Sequence, residues 1–135
     1  FSFHNLVRDL LPLLKHGSRL VGITSHGGQN VIPHYSAVGA SKGALESLCR
    51  HYAQEFAPLG ISVNCVCPGM VLTDAVDAFP DKEDRISHTI KGTPSGSMTT
   101  PEDVAELVDF LIYSPGAKQI VGQTLVIDGG KGLRA

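Results

Sequence analysis

Tyr35 and Lys42 stand seven residues apart in Pro33-His-Tyr-Ser-Ala-Val-Gly-Ala-Ser-Lys42. In an α-helix, at about 100° per residue, seven steps return almost to the same azimuth two turns along. A phenol and an ammonium on one helical face can serve one site. The phenol gives a proton or a hydrogen bond to a developing oxyanion, and the cation favours the ionised phenol and orients a ligand. The pair alone is a weak signal, because exposed helices carry such spacings often. Ser25 closes a short apolar run, Arg19-Leu-Val-Gly-Ile-Thr24. The C-terminal end of a strand is where open α/β sheets place ligand-contacting residues, although a plain turn serine would read the same way.

The elements around these residues alternate. Phe3, Leu6, Val7, Leu10, Leu11 and Leu14 follow helical spacing, and Lys15-His16-Gly17 reads as the stop. Arg19 to Thr24 is the short apolar pattern of a buried parallel strand. A second helix begins between Pro33 and Gly39 and ends near Ala57, with Ala44, Leu45, Leu48, Tyr52, Ala53 and Phe56 on its core side. Gly39, Ala40, Gly43 and Ala44 keep one flank small enough for close packing. Ile61, Val63 and Cys65 alternate with Ser62 and Asn64, which predicts a strand running to Pro68-Gly69. Thr100, Pro101 and Asp103 have the order of an N-cap, an N1 proline and a capping-box acid, followed by Val104, Leu107, Val108 and Leu111. Gln123 to Asp128-Gly-Gly130 gives a last strand and a tight turn. This alternation predicts a parallel sheet with helical crossovers, an α/β fold. Between Asp74 and Met98 the periodicity fails, with at most one short helix near Asp81 to Ile90. A long excursion of that kind is a functional loop or a solvated connector.

Composition bounds the remaining possibilities. A chain of 135 residues, 42% hydrophobic, can build one domain core. A formal charge of −2 with 18% charged residues argues against a nucleic-acid or membrane-surface protein. No apolar run approaches the roughly 18 residues of a membrane span. Cys49, Cys65 and Cys67 sit among apolar neighbours and read as small buried hydrophobes. They complete no zinc site, and none of the six histidines has metal-ligand spacing. His26 and His34 flank the Tyr35 region without an assignable role.

Taken together, the serine, the tyrosine, the lysine, Pro68-Gly69 with Thr73, and the terminal Val126-Ile-Asp-Gly-Gly130 resemble the C-terminal half of a short-chain dehydrogenase/reductase. The resemblance covers nearly the whole chain. Most of that family carries the tyrosine four residues before the lysine, where this sequence has Val38. The wider spacing resembles the enoyl-acyl-carrier-protein reductase branch, with Asn64 and Pro94 in keeping. Many of those enzymes carry a second tyrosine ten residues before the first. Ser25 at that position is similar to a bacterial subgroup that retains a serine.

The resemblance implies a Rossmann-like doubly wound sheet whose N-terminal dinucleotide-binding half is absent. No G-x-x-x-G-x-G run occurs, and the chain opens on Phe1, so the expectation is one partial domain over residues 1–135. Its partner would then be the missing half of the same fold. Tyr35, Lys42 and Ser25 become the catalytic residues. Lys42, Pro68, Gly69, Val71 and Thr73 become contacts to NADPH or NADH, with NADPH favoured. No metal is implied. Residues 74–98 become a lid over an acyl thioester borne on acyl carrier protein, near which Lys82, Arg85 and Lys91 would lie. A cytoplasmic homotetramer of fatty acid biosynthesis is implied as well. A carbonyl or ketoacyl reductase, an alcohol dehydrogenase, a non-catalytic dinucleotide-binding homologue and an interaction module stand as alternatives.

Overall fold

The computed structural model describes residues 2–72 and 82–133, without the side chains of Lys82 and Arg85. Helix α1 spans Ser2–Leu10. It stops earlier than the apolar spacing predicts, passing into a 3-10 turn at Leu11–Leu13. The reason is Pro12, which has no N–H to continue an α-helical ladder. The apolar spacing also overstates burial. Only Val7 is fully buried, while Leu6, Leu11 and Leu13 are 56%, 50% and 73% exposed. Gly17, at φ +91°, turns the chain into β1, Arg19–Ile23.

Helix α2, Ser36–Phe56, follows. Strand β2, Ser62–Pro68, then runs parallel to β1 with Arg19 opposite Ser62 and Ile23 opposite Val66. Helix α3 spans Lys82–Lys91 and α4 spans Pro101–Tyr113. Strand β3, Thr124–Ile127, pairs in parallel on the other side of β2, Cys65 opposite Thr124 and Pro68 opposite Ile127. The sheet order is β1-β2-β3.

The central strand is covered on both faces, which is why Ser62–Cys67 are all buried. Val63 and Cys65 join Val7, Cys49, Ala53 and Phe56 on the α2 side. Val66 joins Leu111 and Ala117 on the other, with Val104, Leu107 and Leu125 around them. The result is a three-layer α/β/α unit, as the alternation predicts. Leu45 and Tyr52 pack at the border of the α2 core, whereas its fully buried positions are Gly39, Glu46, Cys49, Ala53 and Phe56. Asn64 is a buried polar residue in this strand. Its Nδ2 donates to the Ile120 carbonyl at 2.7 Å and its Oδ1 accepts from Gln123 N at 2.9 Å, which fixes the entry to β3.

All three cysteines are free and buried. Cys65 donates to Cys49 Sγ at 2.9 Å; that bond and burial push the Cys65 thiol up. Burial, aided by Glu46 and Asp128, pushes Cys67 up to about 11. Both stay protonated at neutral pH.

The capping box read from the sequence starts α4. Thr100 Oγ1 accepts from Asp103 N at 3.1 Å, and Asp103 Oδ2 accepts from Thr100 N at 2.8 Å. Losing an N-cap side chain costs about 1 kcal/mol. Thr100→Ala should therefore lower the thermal midpoint by a few degrees, measured by circular dichroism, and Thr100→Ser should restore most of it.

Candidate active site

The site is built at the C-terminal end of β1. Thr24 N still donates to the Val66 carbonyl at 2.8 Å, and beyond it the chain leaves the sheet. Ser25 is extended, and its Oγ accepts from Gly27 N at 3.2 Å, so it caps a 3-10 turn at His26–Gly28. Ser25 Oγ also lies 3.3 Å from the Tyr35 hydroxyl. Lys42 Nζ donates to the Ile23 carbonyl at 2.9 Å. The phenol and the ammonium thus reach the same strand end, two residues apart along it, as their spacing predicts.

One detail differs from that prediction. Tyr35 is the N-cap of α2, outside the helix proper, although its carbonyl accepts the first helical bond from Gly39 N at 2.7 Å. The preceding residue, His34, has φ 60°. A left-handed residue turns the chain sharply here, and His tolerates that region better than most side chains. The Pro33-His34 corner therefore presents the phenol.

Close approach of the turn to α2 depends on glycines. A Cβ on Gly27 would overlap the Tyr35 ring, and one on Gly39 would fall 2.6 Å from the Gly27 carbonyl oxygen. The small flank of α2 therefore receives this turn. Glu46, one helical turn beyond Lys42 and 3% exposed, completes the contact. Its Oε1 accepts from the buried Thr24 hydroxyl at 2.8 Å and its Oε2 from Gln29 Nε2 at 2.7 Å. Sequence reasoning missed Glu46. The available signal was a carboxyl group three and seven residues before Cys49 and Ala53, on the apolar face.

Ser25 and Pro68 each lie two residues beyond the last β1–β2 pair, Ile23 with Val66, so they stand at the same edge of the sheet. Gly69 N donates to the Ile127 carbonyl at 2.9 Å. A Cβ on Gly69 would come within 2.9 Å of Thr99 Oγ1 and 3.0 Å of Asp128 Cα, so the segment leaving β2 is seated closely against these residues. Val71 forms a parallel bridge with Thr99. Thr73 lies outside the described residues. Among the described residues no group of three or more His, Cys, Asp or Glu side chains is placed to hold a metal, and no helix is long and apolar enough to cross a membrane.

Two residues without a role in the sequence reading meet beside the turn. His26 Nε2 lies 2.8 Å from Asp128 Oδ2. Asp128 also accepts from Gly130 N at 2.8 Å through Oδ1 and from Gly132 N at 2.7 Å through Oδ2. Gly129 and Gly130 have φ of +64° and +87°, so Asp128-Gly-Gly130 is the tight turn the sequence predicts. Burial raises the Asp128 pKa most, but the donations from Gly132 and Gly130, together with His26, outweigh it and hold the carboxyl below its ordinary value.

The model of the family described as Enoyl-(Acyl carrier protein) reductase matches residues 1–131. Over 130 residues the chain is 36% identical to 1-cyclohexenylcarbonyl-CoA reductase of Streptomyces collinus, covering 95% of this chain and 46% of that protein. It is 34% identical to the enoyl-acyl-carrier-protein reductase (NADH) FabI of Aquifex aeolicus, over 96% of this chain and 48% of that one. A tropinone reductase homolog of Arabidopsis thaliana is 37% identical over 96% of this chain and 49% of its own. The crystal structure of the Aquifex aeolicus enoyl-acyl-carrier-protein reductase (NADH) superposes with a TM-score of 0.87 at 33% identity, covering 99% of this chain and 52% of that one. The chain belongs to the short-chain dehydrogenase/reductase family, in its enoyl-(acyl carrier protein) reductase branch. It spans about half the length of the curated relatives it matches.

A group whose folded pKa is depressed stabilises the fold above its unfolded pKa, and that contribution is lost as pH falls through the folded value. For Asp128 the window lies below about pH 4, the ordinary carboxylate range. Asp128→Asn should therefore lower the thermal midpoint at neutral pH. The gap from the unsubstituted protein should narrow as the pH is taken below that range, followed by thermal melts across pH.

Proposed function

We propose that the protein carrying this chain reduces the carbon–carbon double bond of an enoyl thioester, with a nicotinamide dinucleotide as reductant. The observation that carries this reading is the convergence of the Tyr35 phenol, the Ser25 hydroxyl and the Lys42 ammonium on the end of β1. Tyr35 donates a hydrogen bond to the thioester oxygen as negative charge gathers there. Ser25, already within reach of that phenol, assists at the same oxygen. Lys42 keeps a positive charge beside the site and favours the anionic state.

The residues fit the nicotinamide end of such a cofactor. An ammonium has three N–H donors, and among the described residues Lys42 spends one, on the Ile23 carbonyl. The others are available to ribose hydroxyls. Pro68, Gly69, Val71 and Thr73 would hold the carboxamide end. The cofactor, once bound, supplies the hydride that the β-carbon receives. The reductant is NADH or NADPH. The enoyl reductase of Aquifex aeolicus is an NADH enzyme by name, our reading leans to NADPH, and oxidation of each by the intact protein decides between them.

The reading extends to the surroundings. The thioester is carried on acyl carrier protein, residues 82–98 including α3 belong to the lid over it, residues 74–81 of the expected lid lie outside the described residues, and the enzyme works as a cytoplasmic homotetramer in fatty acid biosynthesis. The 37% identity to a tropinone reductase homolog favours a second reading, reduction of a carbonyl. Against it stands the position of the tyrosine, with Val38 where most of the family carries it. Crotonyl and acetoacetyl thioesters, offered side by side, separate the two readings.

One oriented donor in a dry site is worth on the order of 10²–10³ in rate. Tyr35→Phe in the intact protein should lower kcat for crotonyl thioester by about that factor, with dinucleotide affinity within about twofold of the unsubstituted protein. Turnover retained within a few-fold removes Tyr35 from the chemistry.

A further inference from the structure

Resting on that reading of the site, we infer that His26 is a positioning residue: its ring ties the Ser25–Gly28 turn to the Asp128–Gly132 turn and so sets the Ser25 hydroxyl against Tyr35. The turn has two sides. On the α2 side it is held by Glu46, through Thr24 and Gln29, and by the close fit of Gly27 against Gly39. On the side of β3 it is met by Asp128, whose Oδ2 lies 2.8 Å from His26 Nε2.

Asp128 is a fixed anchor. It is 8% exposed, and its two oxygens accept from Gly130 N and Gly132 N, so its carboxyl group cannot swing away. Those donors also keep it ionised. His26 Nε2 is buried and finds no straight hydrogen bond to an acceptor among the described residues, yet lies 2.8 Å from Asp128 Oδ2. At that distance the ring nitrogen is within donor reach of the anchored carboxyl oxygen. The ring is also confined, since a Cβ on Gly132 would come within 3.0 Å of His26 Cε1.

The link to the chemistry is short. His26 directly follows Ser25, and its carbonyl accepts from Asn30 N at 2.8 Å. Ser25 Oγ and carbonyl accept from Gly27 N and Gly28 N at 3.2 and 2.9 Å. The turn is therefore one hydrogen-bonded unit, and a shift of the His26 ring moves Ser25 with it. Because Gly27 lies under the Tyr35 ring, the same shift reaches the phenol.

The test uses the intact protein and three variants. His26→Ala removes the tie, and His26→Gln keeps a donor at the place of Nε2. His51→Ala, on the exposed side of α2, is the control. Hydrogen–deuterium exchange over residues 24–36 and 128–133 reads the tie without reference to activity. We expect several-fold faster exchange in both segments for His26→Ala, near-normal exchange for His26→Gln and no change for His51→Ala. Misplacing a reacting group by roughly 1 Å can cost about 10²-fold. With crotonyl thioester, His26→Ala should lower kcat about tenfold at unchanged KM, and His26→Gln should recover most of it. Unchanged exchange in His26→Ala overturns the tie. Faster exchange with unchanged kcat leaves a purely structural contact and overturns positioning. If the unsubstituted protein reduces no thioester, the proposed function and the positioning role fail together, and exchange at residues 24–36 and 128–133 decides only whether the ring ties the two turns.

Discussion

The carboxyl group of Glu46 holds the site together. It lies inside the contact between α2 and the end of β1, where it takes hydrogen bonds from Thr24 and Gln29. A buried donor left without a partner costs about 1–3 kcal/mol, so the Thr24 hydroxyl, 2% exposed, adds a directional constraint on the approach of α2 to that of the apolar core. Once α2 is seated there, Tyr35 at its N-cap and Lys42 two turns on can only meet the strand end that carries Ser25. The glycines at 27 and 39 are the steric condition for that seating. Chemistry and packing share one contact surface.

Much of this was legible in the sequence. Alternating periods gave the parallel sheet and its crossovers, because a strand buried on both faces and a helix buried on one leave different patterns. The capping box at Thr100 was legible because it is local, with donor and acceptor three residues apart. Tyr35 and Lys42 were legible as a pair for the same reason. Contacts that form only on folding were not. Glu46 reads as one charged residue among many until Thr24 and Gln29 arrive from another element. His26 and Asp128 are separated by most of the chain, and no spacing announces their meeting. The early end of α1 was legible in Pro12, but the apolar stripe continues past it to Leu14. Leu6 and Leu11 belong to that stripe yet stay exposed, with no neighbouring element to cover them among the described residues.

The chain brings a phenol, a hydroxyl and an ammonium to the end of β1, beside the segment that leaves β2. The glycine-rich motif that cradles a pyrophosphate does not occur in these residues. Family membership rests on the match over residues 1–131 and on relatives sharing about a third of its residues. The enoyl reading rests on the meeting of Tyr35, Ser25 and Lys42 at the end of β1, and the phenol's place three residues before Val38 sets it apart from carbonyl reduction.

Tracing where the hydride goes tests that reading most directly. The intact protein would be given crotonyl thioester and dinucleotide deuterated at the transferable position of the nicotinamide, and the product analysed by mass spectrometry and NMR. One deuterium at the β-carbon of a saturated butyryl thioester is the predicted result. Absence of label from the acyl chain, with acetoacetyl thioester instead gaining deuterium at its carbinol carbon, would contradict the enoyl assignment and make this site a carbonyl reductase.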